Sequence, residues 1–320
     1  MELDKMYLPG EGRHVGIVGV PLGFGAGKPG SELGVSAVRM AKFQGKHVSQ
    51  HIRNLGYEVT DHGDVDIDDP VYDSEEVQRP KYFREILSSS RKISDKLKEV
   101  LDKGHLPVVI GGDHSIAAGT FSGIASHFRD HDEEVGLIWF DAHADMNTPE
   151  TSPSQNTHGM PLSTLLGQGM EEMVNLQGFS PKLNPKYLAH IGGRDLDDGE
   201  RMMIRNLGIR DQFFTMSDID RRGMKECVRK AIEIASEAPA GYAVTFDVDI
   251  IDPRFAPGSG TLVRGGITYR EAHLALEMIA EHGGMRSFEI VEVNPTLDRS
   301  NITAKLAGEL ILSALGKLIL

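Results

Sequence analysis

Short apolar runs alternate with longer amphipathic stretches along almost the whole chain. The runs are rich in β-branched and aromatic side chains, which is typical of buried strands. They predict strands at residues 15–20, 57–60, 106–110, 135–140, 187–191, 213–216, 242–246 and 287–293. Apolar residues at helical spacing occupy the intervals, for example at 35–43, 82–103 and 223–236.

Strands that alternate with helices in this way predict an α/β fold. We expect a mostly parallel sheet of eight strands with helices on both faces. The alternation continues without a linker, a repeat or a low-complexity tract, which favours a single domain over residues 1–320. An acidic, turn-rich segment at 61–79 is predicted to be a surface excursion.

Polar residues that could bind a ligand or take part in catalysis directly follow three of the predicted strands. Asp141, His143 and Asp145 occupy every second position, so an extended backbone places them on one face. Ligands of parallel sheets bind at the carboxyl ends of strands. The polar segments that follow the predicted strands 106–110, 135–140 and 242–246 all lie at such ends. The six side chains at these ends are His114, Asp141, His143, Asp145, Asp247 and Asp249.

This set of side chains predicts a metal centre. Like charges held so close together need a compensating cation. Four carboxylates and two imidazoles are too many for one structural zinc, whereas two first-row ions sharing carboxylate bridges account for all six. Oxygen-rich ligation with some imidazole suits Mn²⁺ over zinc, and paired ions typically hold a water as hydroxide. The pattern therefore predicts metal-assisted hydrolysis. If residues 141–145 are considered alone, the alternative is a strand end with solvated polar residues.

Composition narrows the possible partners. The formal net charge is −13, which makes nucleic acid a poor partner and favours a cationic substrate. Neither a membrane-length apolar run nor a basic-apolar N-terminus is present, so we expect no membrane partner and a cytoplasmic location. The single cysteine, Cys227, lies in a helical pattern and is interpreted as a packed core thiol, which fits a reducing compartment.

A glycine-rich loop at 21–30 has the composition of a phosphate-binding loop. Pro29 follows Lys28, however, and Leu22 stands where the leading glycine belongs. We therefore interpret this loop as a surface or cleft-rim segment.

Taken together, the motifs resemble those of arginases, which belong to the ureohydrolase family of binuclear manganese enzymes. The matching segments are Gly-Gly-Asp-His-Ser at 111–115, Asp-Ala-His-Ala-Asp at 141–145, His-Gly at 158–159, Phe-Asp-Val-Asp at 246–249 with Asp-Pro at 252–253, and Glu-Val-Asn-Pro at 292–295. The resemblance extends from Val15 onward and implies the α/β sheet predicted above. For the metals it implies two Mn²⁺ per subunit, one held by His114, Asp141, Asp145 and Asp247, the other by Asp141, His143, Asp247 and Asp249.

The resemblance also implies a reaction: a metal-bridging hydroxide attacks the guanidinium carbon of L-arginine and gives L-ornithine and urea. Asp145 would orient the hydroxide, His158 would relay the proton, and Glu292 with Asp145 would bind the guanidinium group. From the residues alone, a structural loop histidine and a proton shuttle are equally good interpretations of His158. A proton shuttle must titrate near neutral pH, and histidine is the side chain that does so when unperturbed.

Further residues correspond by resemblance to substrate contacts. Thr261 would contribute its hydroxyl to the guanidinium pocket. The other end of an α-amino acid would be bound through its carboxylate by Asn147, Ser154 and Asn156, and through its ammonium group by Asp197 and Glu200.

Other functions remain open at this point. Ile250-Ile251 stands where arginases usually have Gly-Leu, and this local sequence is closer to that of agmatinases. An agmatinase or another guanidino-acid ureohydrolase is therefore the main alternative. A zinc deacetylase would need one metal and no Asp-x-Asp pair at 247–249. A non-catalytic binding protein would be expected to lack some of the predicted metal-binding residues, and all six are present in this sequence.

Residues 268–271 resemble a segment at the family's subunit interface, which implies a homotrimer or homohexamer. The same residues also fit an ordinary helix start, with Thr268 as N-cap and Glu271 completing a capping box.

Overall fold

The computed structural model describes residues 9–71 and 80–317. Eight of its strands form one sheet, in the order β4-β1-β5-β10-β9-β6-β7-β8, and all neighbouring pairs in it are parallel. Two short strands, β2 and β3, form a separate antiparallel pair. The strands are β1 His14–Val20, β2 Lys42–Phe43, β3 Lys46–His47, β4 Glu58–Asp64, β5 Leu106–Gly111, β6 Gly136–Phe140, β7 Leu188–Ile191, β8 Phe213–Phe214, β9 Tyr242–Asp247 and β10 Met285–Val291.

Helices cover both faces of the sheet. The helices are α1 Gly34–Met40, α2 Val48–Asn54, α3 Phe83–Asp102, α4 Ala117–Arg129, α5 Pro161–Leu165, α6 Glu171–Val174, α7 Asp198–Asn206, α8 Met216–Arg222, α9 Met224–Ala235, α10 Tyr269–His282 and α11 Ile302–Ala314. Residues of α1, α2, α9, α10 and α11 share one core cluster with the strands, while α3 and α4 contribute to clusters on the opposite face. Within the described ranges, no helix has the length and apolarity needed to cross a membrane.

The side-chain alternation of a strand explains this layering. In β1, Val15 and Ile17 join the cluster that contains α1 and α11, whereas Val18 and Val20 join the cluster that contains α3. Because successive side chains point to opposite faces, a strand covered on both sides is apolar at nearly every position. The predicted fold class is confirmed, and Cys227 is buried in the core as predicted.

Two predicted boundaries are wrong for local reasons. The helix predicted over 35–43 ends at Met40, because Gln44 and Gly45 both adopt positive φ (50° and 77°) and form the turn between β2 and β3. The strand predicted at 213–216 stops at Phe214, because the Thr215 side chain accepts a hydrogen bond from the Asp218 amide and begins α8.

Two further boundaries bear on the site. The last strand ends at Val291 instead of Val293, because Glu292 has a φ of 64°, which is incompatible with a strand. The segment predicted to be a surface excursion from Asp61 is still part of β4 up to Asp64. Residues 72–79 of that excursion lie outside the described residues.

Candidate active site

The loops that carry the predicted ligands meet at one edge of the sheet. Four adjacent strands, β5, β10, β9 and β6, run parallel and therefore deliver their carboxyl ends to the same edge. These ends are followed by His114, Glu292, Asp249 and Asp141, respectively. The sheet order thus brings together segments that are far apart in sequence.

The turn after β5 places His114 by a close backbone approach. A Cβ at Gly112 would lie 1.8 Å from the carbonyl oxygen of Leu22, so only glycine fits there. Asp113 accepts a hydrogen bond from the Ser115 amide at 3.0 Å and caps the short turn that begins at His114. The His114 amide in turn donates to Oε1 of Glu292 at 3.0 Å.

Three carboxylates surround the His114 ring. Its Nδ1 lies 3.0 Å from Asp141 Oδ2, 3.2 Å from Asp145 Oδ2 and 3.4 Å from Asp247 Oδ2. All four side chains are buried. This is the convergence that the three strand ends predict.

A second group is built around His143. Its Nδ1 lies 3.1 Å from Asp249 Oδ2 and 3.3 Å from Asp141 Oδ1. Asp141 therefore presents one carboxylate oxygen to each histidine. Asp249 is oriented from both sides, because Thr261 donates its hydroxyl to Oδ2 at 2.9 Å and the Ala142 amide donates to Oδ1 at 3.1 Å.

The electrostatics of these groups follow from burial and mutual proximity. Burial, followed by the neighbouring Asp141 charge, raises the pKa of Asp145 to about 7, and burial together with Asp249 raises the pKa of Asp247 well above its ordinary value. Burial alone would lower the pKa of His114, but its carboxylate neighbours outweigh that effect and raise it. The protein alone thus needs protons to compensate this buried charge.

Divalent cations fit the same residues. The ligand atoms of His114, Asp141 and Asp145 lie within 4.8 Å of one another, and so do those of Asp141, His143 and Asp249. His114 Nδ1 is buried, faces three carboxylate oxygens and makes no hydrogen bond of regular geometry, as expected for a nitrogen that ligates a metal beside them. Asp247 lies beside His114 but outside both groups of three, and its Oδ1 accepts the Asp249 amide at 2.7 Å.

His158 and Glu292 form a polar pair at the edge of the metal centre. Nδ1 of His158 lies 3.1 Å from Oε1 of Glu292. Burial would lower the pKa of His158, but the hydrogen bond and charge of Glu292 raise it to about 9. Glu292 and Asp145 both have positive φ, 64° and 51°, a backbone strain that is characteristic of functional sites.

The comparisons with known proteins agree with this geometry. The sequence model of the arginase family matches residues 13–316. The chain belongs to the arginase family. It is 43% identical to the arginase of Bacillus subtilis over 307 residues, which cover 96% of this chain and 99% of that protein.

Solved arginase structures share the fold of this family member. The Bacillus caldovelox arginase superimposes with a TM-score of 0.89 at 40% identity, covering 96% of this chain and 100% of that one. The arginase of Entamoeba histolytica, solved in complex with L-ornithine, has a TM-score of 0.85 at 30% identity, covering 95% and 99% of the two chains. As an arginase-family member, the chain is a hydrolase.

Three of the residues that resemble arginase substrate contacts lie together. Nδ2 of Asn147 donates to Oδ2 of Asp197 at 2.7 Å. Asp197 is the N-cap of α7 and forms a capping box with Glu200, whose Oε1 also accepts the Met146 amide at 3.3 Å. Burial, followed by the charge of Asp145, raises the pKa of Glu200 to about 7.

Ser154 and Asn156 lie on the loop between Asn147 and His158. The Asn156 amide donates to the Ser154 hydroxyl at 3.2 Å, and Oδ1 of Asn156 accepts from Lys81 at 3.4 Å. Beside this loop runs the glycine-rich segment, where the carbonyl of Gly25 accepts from the His158 amide at 3.2 Å. The glycine-rich segment therefore borders the loop that carries His158.

Sequence reasoning missed several residues that support this arginase-family site. Arg194 donates to the carbonyl oxygens of Asp249 at 2.7 Å, Val263 at 2.8 Å and Ile250 at 3.1 Å, and so holds the loop after β9 in place. Its position after an apolar run gave no indication of this. Glu289 stands out in the sequence as an acidic residue inside an apolar predicted strand, but the sequence does not show that it accepts a hydrogen bond from Thr245.

Proposed function

We propose that this arginase-family protein hydrolyses L-arginine to L-ornithine and urea with two Mn²⁺ per subunit. The observation that carries the proposal is the pair of histidine–carboxylate groups joined by Asp141. The arginases that the chain resembles support it, as does the L-ornithine in the Entamoeba histolytica structure, which is a product of that reaction.

Each ion has a set of ligands in this proposal. His114, Asp141, Asp145 and Asp247 would hold one ion, and Asp141, His143, Asp247 and Asp249 the other, so that Asp141 and Asp247 would belong to both sets. The oxygen-rich set favours manganese over zinc. When bound, such ions lower the pKa of water enough for a hydroxide nucleophile to be available near neutral pH.

The protein's own carboxylates recognise the guanidinium group. This group is a planar cation with a fork of N–H donors, which fixed carboxylates accept best. Glu292 is buried and held from two sides by the His114 amide and the His158 ring, so its orientation is set before substrate arrives. Asp145, whose Oδ2 lies 3.2 Å from His114 Nδ1, would orient the substrate against the nucleophile.

His158 supplies the proton that the leaving amine needs. Its pKa of about 9 keeps the imidazole protonated at neutral pH, so that it acts as a proton donor. The side chain is 16% exposed, which connects it to solvent for reprotonation.

The α-amino-acid end of the substrate separates L-arginine from its relatives. Asn147, Ser154 and Asn156 would bind the carboxylate, and Asp197 with Glu200 would bind the ammonium group. Agmatine lacks the carboxylate, and 4-guanidinobutyrate lacks the ammonium group. A site with both sets of contacts therefore prefers L-arginine to each of them.

Urea release tests the proposal directly. The purified protein, loaded with manganese, is assayed with L-arginine, agmatine and 4-guanidinobutyrate, with a chelated sample as control. We expect turnover of L-arginine to exceed that of both others. A preference for agmatine or the guanidino acid would contradict the assignment of the α-amino-acid contacts, and an absence of urea with metal bound would refute ureohydrolase activity itself.

Assembly and location complete the proposal. We propose a homotrimer or homohexamer that uses residues 268–271, where the structure has the Thr268–Glu271 capping box at the start of α10. Light scattering coupled to gel filtration measures the mass and distinguishes these from a monomer. The lone buried thiol of Cys227 supports a cytoplasmic location.

A further inference from the structure

Two buried polar residues lie beneath the metal centre without a role in the proposed reaction. Thr245 on β9 and Glu289 on β10 are register partners in the sheet, and Thr245 is also opposite Trp139 on β6. Thr245 is 3% exposed and Glu289 is 4% exposed. A carboxylate buried in this way requires a polar partner that justifies its desolvation.

A directional chain of hydrogen bonds runs from Glu289 to His114. The Thr245 hydroxyl donates to Oε1 of Glu289 at 2.8 Å, and the same hydroxyl oxygen lies 3.0 Å from Nε2 of His114. A hydroxyl has one proton, which Thr245 gives to Glu289. Thr245 must therefore accept the other hydrogen bond, so that Nε2 of His114 carries a proton.

The direction of this chain decides which ring nitrogen is left for a metal. With one proton held on Nε2, Nδ1 is the nitrogen whose lone pair a metal ion can take, and Nδ1 is the atom that faces Asp141, Asp145 and Asp247. The ring is also fixed in its plane by stacking on Trp139, with centroids 4.2 Å apart. Tautomer and orientation are thus both set by buried neighbours.

His143 offers an internal contrast. Its Nδ1 also faces carboxylates, but its Nε2 is 4.0 Å from Asp195, a carboxylate whose side chain is 68% exposed. The second histidine therefore lacks the buried hydroxyl and carboxylate that stand behind His114.

We infer that Thr245 and Glu289 are positioning residues for the metal ion at His114. They hold the imidazole with its proton on Nε2 and so present Nδ1 as a ready ligand, in the way that outer-shell carboxylates act on metal-bound histidines. This inference rests on the proposed function only in requiring that the centre binds divalent metal.

Metal affinity of matched variants tests the inference without an activity assay. Thr245→Val keeps the shape and removes the hydroxyl, whereas Thr245→Ser keeps the hydroxyl. Apo-protein is titrated with Mn²⁺, and free Mn²⁺ is followed by electron paramagnetic resonance. We expect Thr245→Val to lose about 10–100-fold in affinity at one of the two sites, with the other site unchanged and Thr245→Ser close to the parent. Parent affinity at both sites in Thr245→Val would overturn the inference.

Glu289 variants show whether the two residues act as one unit. Glu289→Gln retains an oxygen that accepts the Thr245 proton, so it should keep most of the affinity, whereas Glu289→Leu should show the loss of Thr245→Val. Since both changes break the same chain, the Thr245→Val/Glu289→Leu double variant should bind metal no more weakly than either single variant. Fully additive losses would mean that the two residues act independently. Circular dichroism of each apo-protein identifies any variant that fails to fold.

The outcomes also separate this inference from the proposed function. A parent protein that binds two Mn²⁺ and releases no urea would refute the proposed function and leave the role of Thr245 and Glu289 intact. Normal urea release together with unchanged affinity in Thr245→Val would refute the positioning role alone. Absence of metal binding in the parent protein would refute both.

Discussion

Histidines cluster at both ends of the same sheet, and only one cluster suits a metal. At the carboxyl end, His114 and His143 lie among buried carboxylates. At the amino ends of β1 and β5, the ring of His14 stacks on His105 with centroids 3.7 Å apart, and Nδ1 of His105 lies 3.1 Å from Nε2 of His62. Each cluster therefore contains at least two imidazole rings, but the side chains that surround them differ.

The surroundings decide what each cluster can do. Burial and then Lys103 lower the pKa of His62, and burial followed by His14 lowers the pKa of His105. At the other end the carboxylates outweigh burial and raise the pKa of His143. In the described part of the chain, both groups of side chains that suit a metal ion lie at the carboxyl end. Buried negative charge, more than the number of histidines, distinguishes the candidate metal site.

The largest expected effect comes from removing the carboxylate that the two groups share. Asp141→Ala should reduce urea release by more than about 10³-fold, because in the proposed reaction bound ions would supply the nucleophile by lowering the pKa of water by several units. Metal content by atomic emission should fall in parallel. His62→Gln at the amino end is the matched control and should leave both unchanged. Retained metal and turnover in Asp141→Ala would contradict the binuclear centre.

A histidine at the carboxyl end that is not a predicted ligand sharpens the contrast. His158→Asn removes the proton donor but no metal ligand, so turnover should fall by about 10²-fold, the usual scale for general acid catalysis. The bound metal should stay at the parent level. Loss of metal from His158→Asn would instead show that His158 supports the centre structurally.

The candidate metal site and the fold were predictable from the sequence to different extents. Asp141, His143 and Asp145 could be predicted to converge because an apolar run ends directly before them and a period of two sets their common face. The parallel sheet followed from the alternation of strands and helices. Both signals are local, or depend only on the order of elements along the chain.

What escaped prediction depends on contacts between distant segments. The link from His114 to Glu289 through Thr245 requires β9 to lie between β6 and β10, an order that no local pattern encodes. The end of β10 at Val291 depends on the positive φ of Glu292, which tertiary contacts impose against the residue's own preference. Residue identity gave the chemistry of the site, whereas strand order supplied its supporting contacts.

Removal of metal should lower the melting temperature of the protein. Ligand binding stabilises a fold by RT ln(1 + [L]/Kd), about 4 kcal/mol at a free concentration of 1,000 Kd, which corresponds to roughly 8–16 °C in the melting temperature of a large domain. Manganese-loaded and chelated samples are compared by scanning calorimetry. The shift should persist in His62→Gln and shrink strongly in Asp141→Ala. An equal shift in all three proteins would show that metal binds elsewhere.

The smallest expected effect lies at the amino end and has a definite sign. The pKa values of His62 and His105 are lowered from the ordinary 6.5, so the unfolded chain binds more protons than the folded protein between the lowered values and 6.5. The free energy of unfolding should therefore fall as the pH falls through that window. In the double variant His62→Gln/His105→Gln this contribution is lost, so the variant should be less sensitive to acid than the parent protein.

Urea unfolding of both proteins between about pH 5 and about pH 8 measures the difference, in which contributions from the metal centre cancel. A parent that is no more acid-sensitive than the variant would mean that these histidines titrate as in the unfolded chain, and the electrostatic contrast between the two ends of the sheet would then rest on the carboxyl end alone.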